Sequence, residues 1–313
     1  MNERIKKLRE QSLSAFPSIS LERARLLTEF YKSGISEKVS IPVARALAFK
    51  YLLENKTLCI NPGELIVGER GPLPKAAPTY PEICTHSLKD FDILHSREKI
   101  SFKVDSTARQ VQQDEIIPFW SGRSLRDRIF KAVDPEWIES YHAGIFTEFQ
   151  EQRAPGHTVL GDKIYHNGFL DFKKEIEHSI KALDFFGDPK ASDKREELMA
   201  MDIAASALIA LAGRYADKLN LMAEEETDAG RKKELLQMAS ICRKVPAHAP
   251  ETFWEALQYY WFVHLGVIIE LNTWDSFNPG RLDRNLYPFY QKDLDKGVLD
   301  KDKAIELLES FWI

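Results

Sequence analysis

Apolar residues recur at intervals of three and four positions along most of the chain, which is the spacing of one helix face. Ala24, Leu27 and Tyr31 show this spacing in the first clear segment, and Ser20 is placed to cap it. Pro42 suits the first turn of the next segment. The pattern predicts helices over residues 21–32, 42–53, 107–128, 169–183, 194–222, 227–244 and 251–270, with a break at Pro118-Phe119-Trp120.

Two stretches of the chain lack the helical spacing of apolar residues. The short apolar runs Leu58-Cys59-Ile60 and Leu65-Ile66-Val67 lie on either side of the turn Asn61-Pro62-Gly63, a pattern that predicts two short strands. Four prolines fall within residues 71–81, which must therefore be loop or extended chain. The predicted fold class is mainly α with a few short β-strands, in one continuous unit.

Two apolar segments bear on membrane contact and on chain length. Residues 203–210 are apolar on nearly every face, so we expect a buried core helix that is too short to cross a membrane. No stretch approaches the ~20 apolar residues of a membrane span, and no membrane contact is expected.

We expect the sequence to be part of a longer one, because an apolar stripe runs to the end of the sequence without a helix cap. The stripe is formed by Ala304, Ile305, Leu307, Leu308, Phe311 and Trp312.

Composition narrows the functional class. The chain has 44% hydrophobic and 29% charged residues, which is ordinary for a globular protein and excludes a mainly disordered one. Its net charge of -5 gives no reason to expect nucleic acid as a partner. The three cysteines, Cys59, Cys84 and Cys242, are far apart, and no export signal precedes them. We expect reduced thiols in the cytoplasm, with neither a disulfide framework nor a metal site.

The densest group of chemically useful side chains lies in residues 144–162. It holds Phe146 and Phe149 together with acids, an arginine and a histidine, and Pro155-Gly156 stands immediately before His157. A helix passes through Pro-Gly only at high cost, so the run predicts a helix end that turns into an ordered loop presenting His157. Such a mixture is typical of a pocket for a small polar molecule. The alternative is a charged surface turn whose two phenylalanines anchor it in the core.

A second polar group follows the apolar segment 251–270. The carboxylates of Glu270 and Asp275 flank Asn272 where the predicted helix ends, and Arg281 and Asp283 follow a Pro-Gly turn. A polar cluster that follows so apolar a helix indicates either a buried hydrogen-bond network or a binding site. Alternatively, Arg281 and Asp283 only fix the chain reversal.

Both groups, and most of the chain from Arg4 to Ile313, resemble the N-terminal part of the pyruvate formate-lyase-like glycyl radical enzymes. The strings that carry this family resemblance are Gly63-Glu64-Leu65-Ile66-Val67-Gly68, Pro81-Glu82, Gly156-His157, Glu270-x-Asn272 and Gly280-Arg281-x-Asp283. Within the family, the trans-4-hydroxy-L-proline dehydratases are the most similar subfamily, on longer strings at residues 77–84, 146–159 and 274–283.

The resemblance implies a fold and a domain assignment. Enzymes of this family look like a ten-stranded β/α barrel wrapped in helices, so residues 1–313 would be the N-terminal part of one pyruvate formate-lyase domain, with an incomplete barrel. The family's central cysteine loop and its C-terminal glycyl radical motif are absent from this sequence. The resemblance thus places no catalytic residue and no glycine radical domain in this chain, which we expect to be inactive alone.

The resemblance also implies a substrate, a cofactor and partners. The complete enzyme would be a homodimer of anaerobic metabolism, with a glycyl radical installed by an activating enzyme that uses S-adenosylmethionine and an iron-sulfur cluster. It would remove water from a hydroxyproline-like substrate to give a pyrroline carboxylate. Phe149 would form a wall of the pocket, and His157 and Asp275 would contact the substrate. The surrounding polar network would comprise Glu270, Asn272, Arg281 and Asp283.

Two other functions stay open at this point. Another glycyl radical lyase, such as a glycerol or diol dehydratase, a choline-type lyase or a formate C-acetyltransferase, would differ at Phe149 and Asp275. A helical protein that binds a partner without catalysis belongs to a different class. The apolar end at Phe311-Trp312-Ile313 argues against this last function, because a stand-alone domain usually ends in polar residues.

Overall fold

The structure is a computed structural model, which describes residues 2–145, 160–271 and 279–313. The described part is mainly α-helical, as predicted. Its α-helices and strands are, in chain order, α1 Glu3–Ser14, β1 Ser18–Ser20, α2 Glu22–Lys32, α3 Ile41–Asn55, β2 Ala76–Pro78, α4 Leu88–Ser96, α5 Ser106–Val111, α6 Ile117–Trp120, α7 Leu125–Ala132, α8 Pro135–His142, α9 Phe169–Lys181, α10 Ala191–Glu225, α11 Ala229–Lys244, α12 Phe253–Glu270, α13 Leu282–Asp295 and α14 Lys301–Trp312. Short 3₁₀ turns occur at Ile35–Lys38 and Lys163–Tyr165, and a π-helical segment at Gln112–Ile116.

Helix boundaries follow the local capping chemistry. The Thr252 hydroxyl accepts from the backbone N–H of Glu255, whose carboxylate accepts from the N–H of Thr252, so α12 begins with a capping box. Pro42 lies in the first turn of α3, as predicted. The predicted break lies at the end of the Pro118-Phe119-Trp120 run: the helical path continues from the π-helical segment through Pro118 and ends after Trp120.

The two predicted strands at residues 58–60 and 65–67 are not strands. Side chains of α12 hydrogen-bond the backbone groups of Leu65, Val67 and Gly68, in place of a second strand. Trp254 Nε1 donates to the carbonyl of Leu65 and Trp261 Nε1 to that of Gly68, both at 2.8 Å. The strands that do form are β1 and β2, which pair in parallel with Ile19 opposite Ala77. Within the described residues, this pair is the whole sheet, and no closed barrel is present.

The helices bury two apolar clusters that share α3. Phe49 and Leu53 of α3 belong to the larger cluster, with α10, α11, α12 and α14. Leu52 lies in the smaller cluster, which α3 forms with α2, α4, α5 and Trp120. Because α3 contributes to both clusters, it fixes the position of α2 relative to α12, and both of these helices carry residues of the candidate site.

Helix α10 differs from its prediction in length and burial. The predicted core segment 203–210 lies inside a 35-residue helix, and only Ala205, Ala207 and Leu208 of that segment are buried. By length and composition α10 could cross a membrane, although 33% of its most apolar 18-residue window is buried. It packs against α3, α9 and α11. Because the core helix of a soluble protein meets the same criteria, this finding is weak evidence for a membrane span.

The last apolar stripe is divided between the core and the surface. Ala304, Leu307 and Phe311 of α14 are buried in the larger cluster, whereas the side chains of Ile305 and Trp312 are 42% and 59% exposed. Ile305 therefore does not belong to the buried face that the sequence pattern assigned to it. The helix begins with a cap from Asp300, whose carboxylate accepts from the backbone N–H of Lys303 at 2.7 Å.

Candidate functional site

The predicted site residues fall into two groups. Phe149, His157, Asn272 and Asp275 lie outside the described residues. The structure does describe Glu270, Arg281 and Asp283, which it places in two separate ion pairs, Arg45–Glu270 and Arg281–Asp283. The other candidate-site residues are described ones that border residues 146–159 and 272–278.

Glu270 is the last residue of α12, and its carboxylate pairs with α3. Arg45 Nε lies 2.5 Å from Glu270 Oε1. Burial raises the pKa of Glu270, against the opposing effect of Arg45 and Arg23. Burial on its own would lower the pKa of Arg45, but the Glu270 carboxylate outweighs it, and the pKa lies above its usual value. The pair thus fixes a charged end of α12 against α3.

The buried guanidinium of Arg23 lies beneath the same end of α12. It pairs with the carboxylate of Glu82, with Nη2 2.5 Å from Oε1 and Nη1 3.1 Å from Oε2. Its Nε donates to the carbonyl of Ile269 at 2.6 Å. The ring of Tyr80 lies under the guanidinium, 4.0 Å from its carbon to the ring centroid. Burial alone would lower the pKa of Arg23, but Glu82 keeps it above its usual value.

An open groove of about 630 Å³ lies between α3, α10 and α12. Phe49, Leu208 and Val263 contribute to its apolar walls, and Arg45 and Glu270 form a polar end. Leu160 and Leu271 also line this groove. Leu160 belongs to the predicted group that contains His157, and Leu271 belongs to the one that contains Asp275.

Arg281 and Asp283 form an ion pair at the start of α13. Arg281 Nε and Nη2 lie 3.0 Å from the two carboxylate oxygens of Asp283. Both side chains are exposed, at 73% and 70%. The hydrogen bond from Arg281 lowers the pKa of Asp283 to about 2. This geometry supports the alternative in which the pair fixes the chain reversal.

The described residues contain no group of three or more His, Cys, Asp and Glu side chains that could hold a metal ion. Burial raises the pKa of Cys59 to about 11 and also raises that of Cys242. Burial thus disfavours the thiolate form that a cysteine needs to act as a nucleophile. These two thiols fit a structural role.

Sequence reasoning missed Arg23, Tyr80 and Arg45. One signal for Arg23 was available, because it shares a helical face with Leu27 and Phe30, both of which are buried. A charged residue on an apolar face needs a buried partner. No local pattern pointed to the pairing of Arg45 with Glu270, since 225 positions separate them.

Comparisons with known proteins identify the family of this chain. The chain matches the family described as pyruvate formate lyase-like over residues 1–313. Trans-4-hydroxy-L-proline dehydratase from Clostridioides difficile is 57% identical over 311 residues, which cover 99% of this chain and 39% of that protein. The crystal structure of hydroxyproline dehydratase from the same organism, with trans-4-hydroxy-L-proline bound, superposes with a TM-score of 0.95 at 56% identity, over 100% of this chain and 39% of that one.

A second solved structure is more distant. The glycerol-bound, B12-independent glycerol dehydratase from Clostridium butyricum superposes with a TM-score of 0.92 at 30% identity, again over 100% of this chain and 39% of that one. The chain thus spans about two fifths of the length of these relatives. With a family match along its whole length, the chain belongs to the pyruvate formate lyase-like family.

Proposed function

We propose that this chain is part of a glycyl radical hydro-lyase that removes water from trans-4-hydroxy-L-proline and yields a pyrroline carboxylate. The observation that carries the proposal is the similarity to hydroxyproline dehydratase along nearly the whole chain. The glycerol dehydratase shares the fold but far fewer residues, which favours hydroxyproline over a diol as substrate.

In this proposal the chain supplies part of the substrate pocket. Phe149 forms a wall, and His157 and Asp275 make polar contacts, with the Asp275 carboxylate facing the substrate ammonium. The position of Leu160 and Leu271 in one groove supports this arrangement, because each belongs to one of the two predicted groups. Glu270 and Arg45 contribute a fixed charge pair at the end of the groove.

The radical chemistry belongs outside this chain in the proposal. A glycyl radical, installed by an activating enzyme that uses S-adenosylmethionine and an iron-sulfur cluster, would supply the radical chemistry that starts water loss. The sequence contains neither the cysteine loop nor the glycine motif of the family. Residues 1–313 form the N-terminal part of the pyruvate formate-lyase domain, without a glycine radical domain. The enzyme works as a cytoplasmic homodimer in anaerobic metabolism.

The first experiment compares two carboxylate variants in the whole protein as its gene encodes it. Asp275→Ala is expected to weaken trans-4-hydroxy-L-proline binding by about 2–5 kcal/mol, the usual cost of removing one partner of a desolvated charge pair. Glu10→Ala is the matched control, because Glu10 is exposed on α1. Calorimetry gives both dissociation constants. Equal affinity in the two variants would contradict the proposed role of Asp275.

A second experiment tests where the radical chemistry lies. Residues 1–313 are expressed anaerobically with the activating enzyme, and the sample is measured by electron paramagnetic resonance and assayed for pyrroline carboxylate. We expect neither a radical signal nor product. A radical signal with turnover would show that this chain carries its own catalytic machinery.

A further inference from the structure

The last turn of α12 is held by two side chains from distant parts of the chain. The hydroxyl of Tyr80 donates to the carbonyl of Ile268. Arg23 donates to the next two carbonyls, from Nε to Ile269 at 2.6 Å and from Nη2 to Glu270 at 3.4 Å. Helix C-termini leave such carbonyls without intrahelical partners. Here Tyr80 and Arg23 satisfy three consecutive carbonyls of the turn that leads to Leu271.

Arg23 is suited to this task because every one of its donors is used. A guanidinium has five N–H donors. Nε and Nη2 reach the two helix carbonyls described above, Nη1 donates to the carbonyl of Thr79 at 3.2 Å, and Nη1 and Nη2 each donate to one oxygen of Glu82. Its side chain is only 5% exposed. A lysine has three donors on one atom and cannot reproduce this planar arrangement.

The held turn forms part of the groove described above. Val267, Glu270 and Leu271 line it, and Glu270 reaches across to Arg45 on α3. The side chain of Arg23 does not line this groove. Arg23 therefore affects a molecule in the groove indirectly, through the position of α12 and through its charge near Glu270.

We propose that Arg23 and Tyr80 are positioning residues, which fix the C-terminal turn of α12 and thereby place Glu270 and Leu271 for substrate binding. This inference rests on the proposed function for the identity of the substrate. Its structural part, the fixing of residues 268–271, stands on the hydrogen bonds alone.

The test uses conservative variants of the whole protein with chemically matched controls. Arg23→Lys keeps the charge and loses the planar set of donors, and Tyr80→Phe loses only the hydroxyl. Arg231→Lys is the control for the first, because Arg231 also donates to a carboxylate and a carbonyl, those of Glu234 and Glu64. Tyr259→Phe is the control for the second, because its buried hydroxyl donates to the carbonyl of Asn167 at 3.0 Å.

Two measurements separate positioning from general stability. Hydrogen–deuterium exchange is expected to rise about tenfold in residues 268–271 for Arg23→Lys and Tyr80→Phe, since each removes a hydrogen bond to this turn. The dissociation constant for trans-4-hydroxy-L-proline is expected to rise about tenfold in the same variants. Both quantities should stay at wild-type values in Arg231→Lys and Tyr259→Phe.

The outcomes are distinct. Wild-type exchange and affinity in Tyr80→Phe and Arg23→Lys would overturn the inference, as would an equal loss of affinity in the two controls. If Arg23→Lys does not fold, Tyr80→Phe decides, because it changes one hydroxyl. If the wild-type protein fails to bind hydroxyproline, the proposed function is wrong, and exchange in residues 268–271 alone decides whether Arg23 and Tyr80 fix this turn.

Discussion

The side-chain amide of Gln258 hydrogen-bonds both backbone groups of Val67. Gln258 Oε1 accepts from the N–H of Val67 at 2.9 Å, and its Nε2 donates to the Val67 carbonyl at 2.8 Å. Trp254 and Trp261 lie four residues before and three residues after Gln258 on the same face of α12, and they donate to the carbonyls of Leu65 and Gly68. One helix face thus takes the place of a neighbouring strand.

Replacing Gln258 by leucine tests the energy of this pairing. Both partners are buried, so Gln258→Leu leaves an N–H and a carbonyl of Val67 without partners. Each unpaired buried group costs about 1–3 kcal/mol, and we expect the free energy of unfolding to fall by about 2–5 kcal/mol in urea titration. Gln237→Leu, on the exposed side of α11, is the control. Equal stability of the two variants would show that water molecules hydrogen-bond the N–H and the carbonyl of Val67 in place of Gln258.

Gly68 should tolerate no side chain. Its φ is +140°, and an added Cβ would lie 2.7 Å from Nε1 of Trp261. Gly68→Ala is expected to lower the free energy of unfolding by about 2–4 kcal/mol, since backbone strain and a clash add together. Gly297→Ala has a positive φ of +65° but no neighbour within 4 Å, so we expect about 1 kcal/mol there. Thermal unfolding of both variants distinguishes the clash from the strain.

Glu64 should make stability fall as pH rises. Burial raises its pKa from 4.5 to about 7 in the folded chain, despite two hydrogen bonds from Asn61. The folded state therefore binds the proton more tightly than the unfolded state, and the contribution of Glu64 to stability is lost between pH 4.5 and 7. The expected loss is about 2–3 kcal/mol.

The variant Glu64→Gln isolates this contribution from other titrating groups. Because glutamine does not titrate, the free energy of unfolding of Glu64→Gln should fall less between pH 5 and pH 7.5 than that of the wild type. Glu10→Gln, on the exposed surface of α1, should keep the wild-type pH dependence. Parallel pH profiles for wild type and Glu64→Gln would be inconsistent with a raised pKa.

The apolar groove should make residues 1–313 bind a hydrophobic dye. Ile41 and Met201 line it and are 86% and 55% exposed, and large exposed apolar patches favour association. The double variant Ile41→Ser/Met201→Ser is expected to lower dye fluorescence to about half. Leu13→Ser/Leu236→Ser changes two exposed apolar residues outside the groove and should leave the fluorescence unchanged. If the Leu13→Ser/Leu236→Ser variant lost more fluorescence than the groove variant, the dye would bind outside the groove.

The sequence by itself determined most of the helices and the family. Capping and periodicity act within a few residues, so the boundaries of α3, α9 and α12 lie within two residues of their predictions. The family strings are also local, and the match over residues 1–313 agrees with them. Phe149, His157 and Asp275 remain predictions, because they lie outside the described residues.

Only the tertiary structure decided where polar groups find their partners. Leu65-Ile66-Val67 has the composition of a strand, yet its backbone groups pair with side chains of α12, nearly two hundred positions away. Arg23 reaches Ile269 across 246 positions. A buried polar group must find a partner, but sequence periodicity describes only neighbours along the chain. Which distant residue supplies that partner is settled by how α2, α3 and α12 pack.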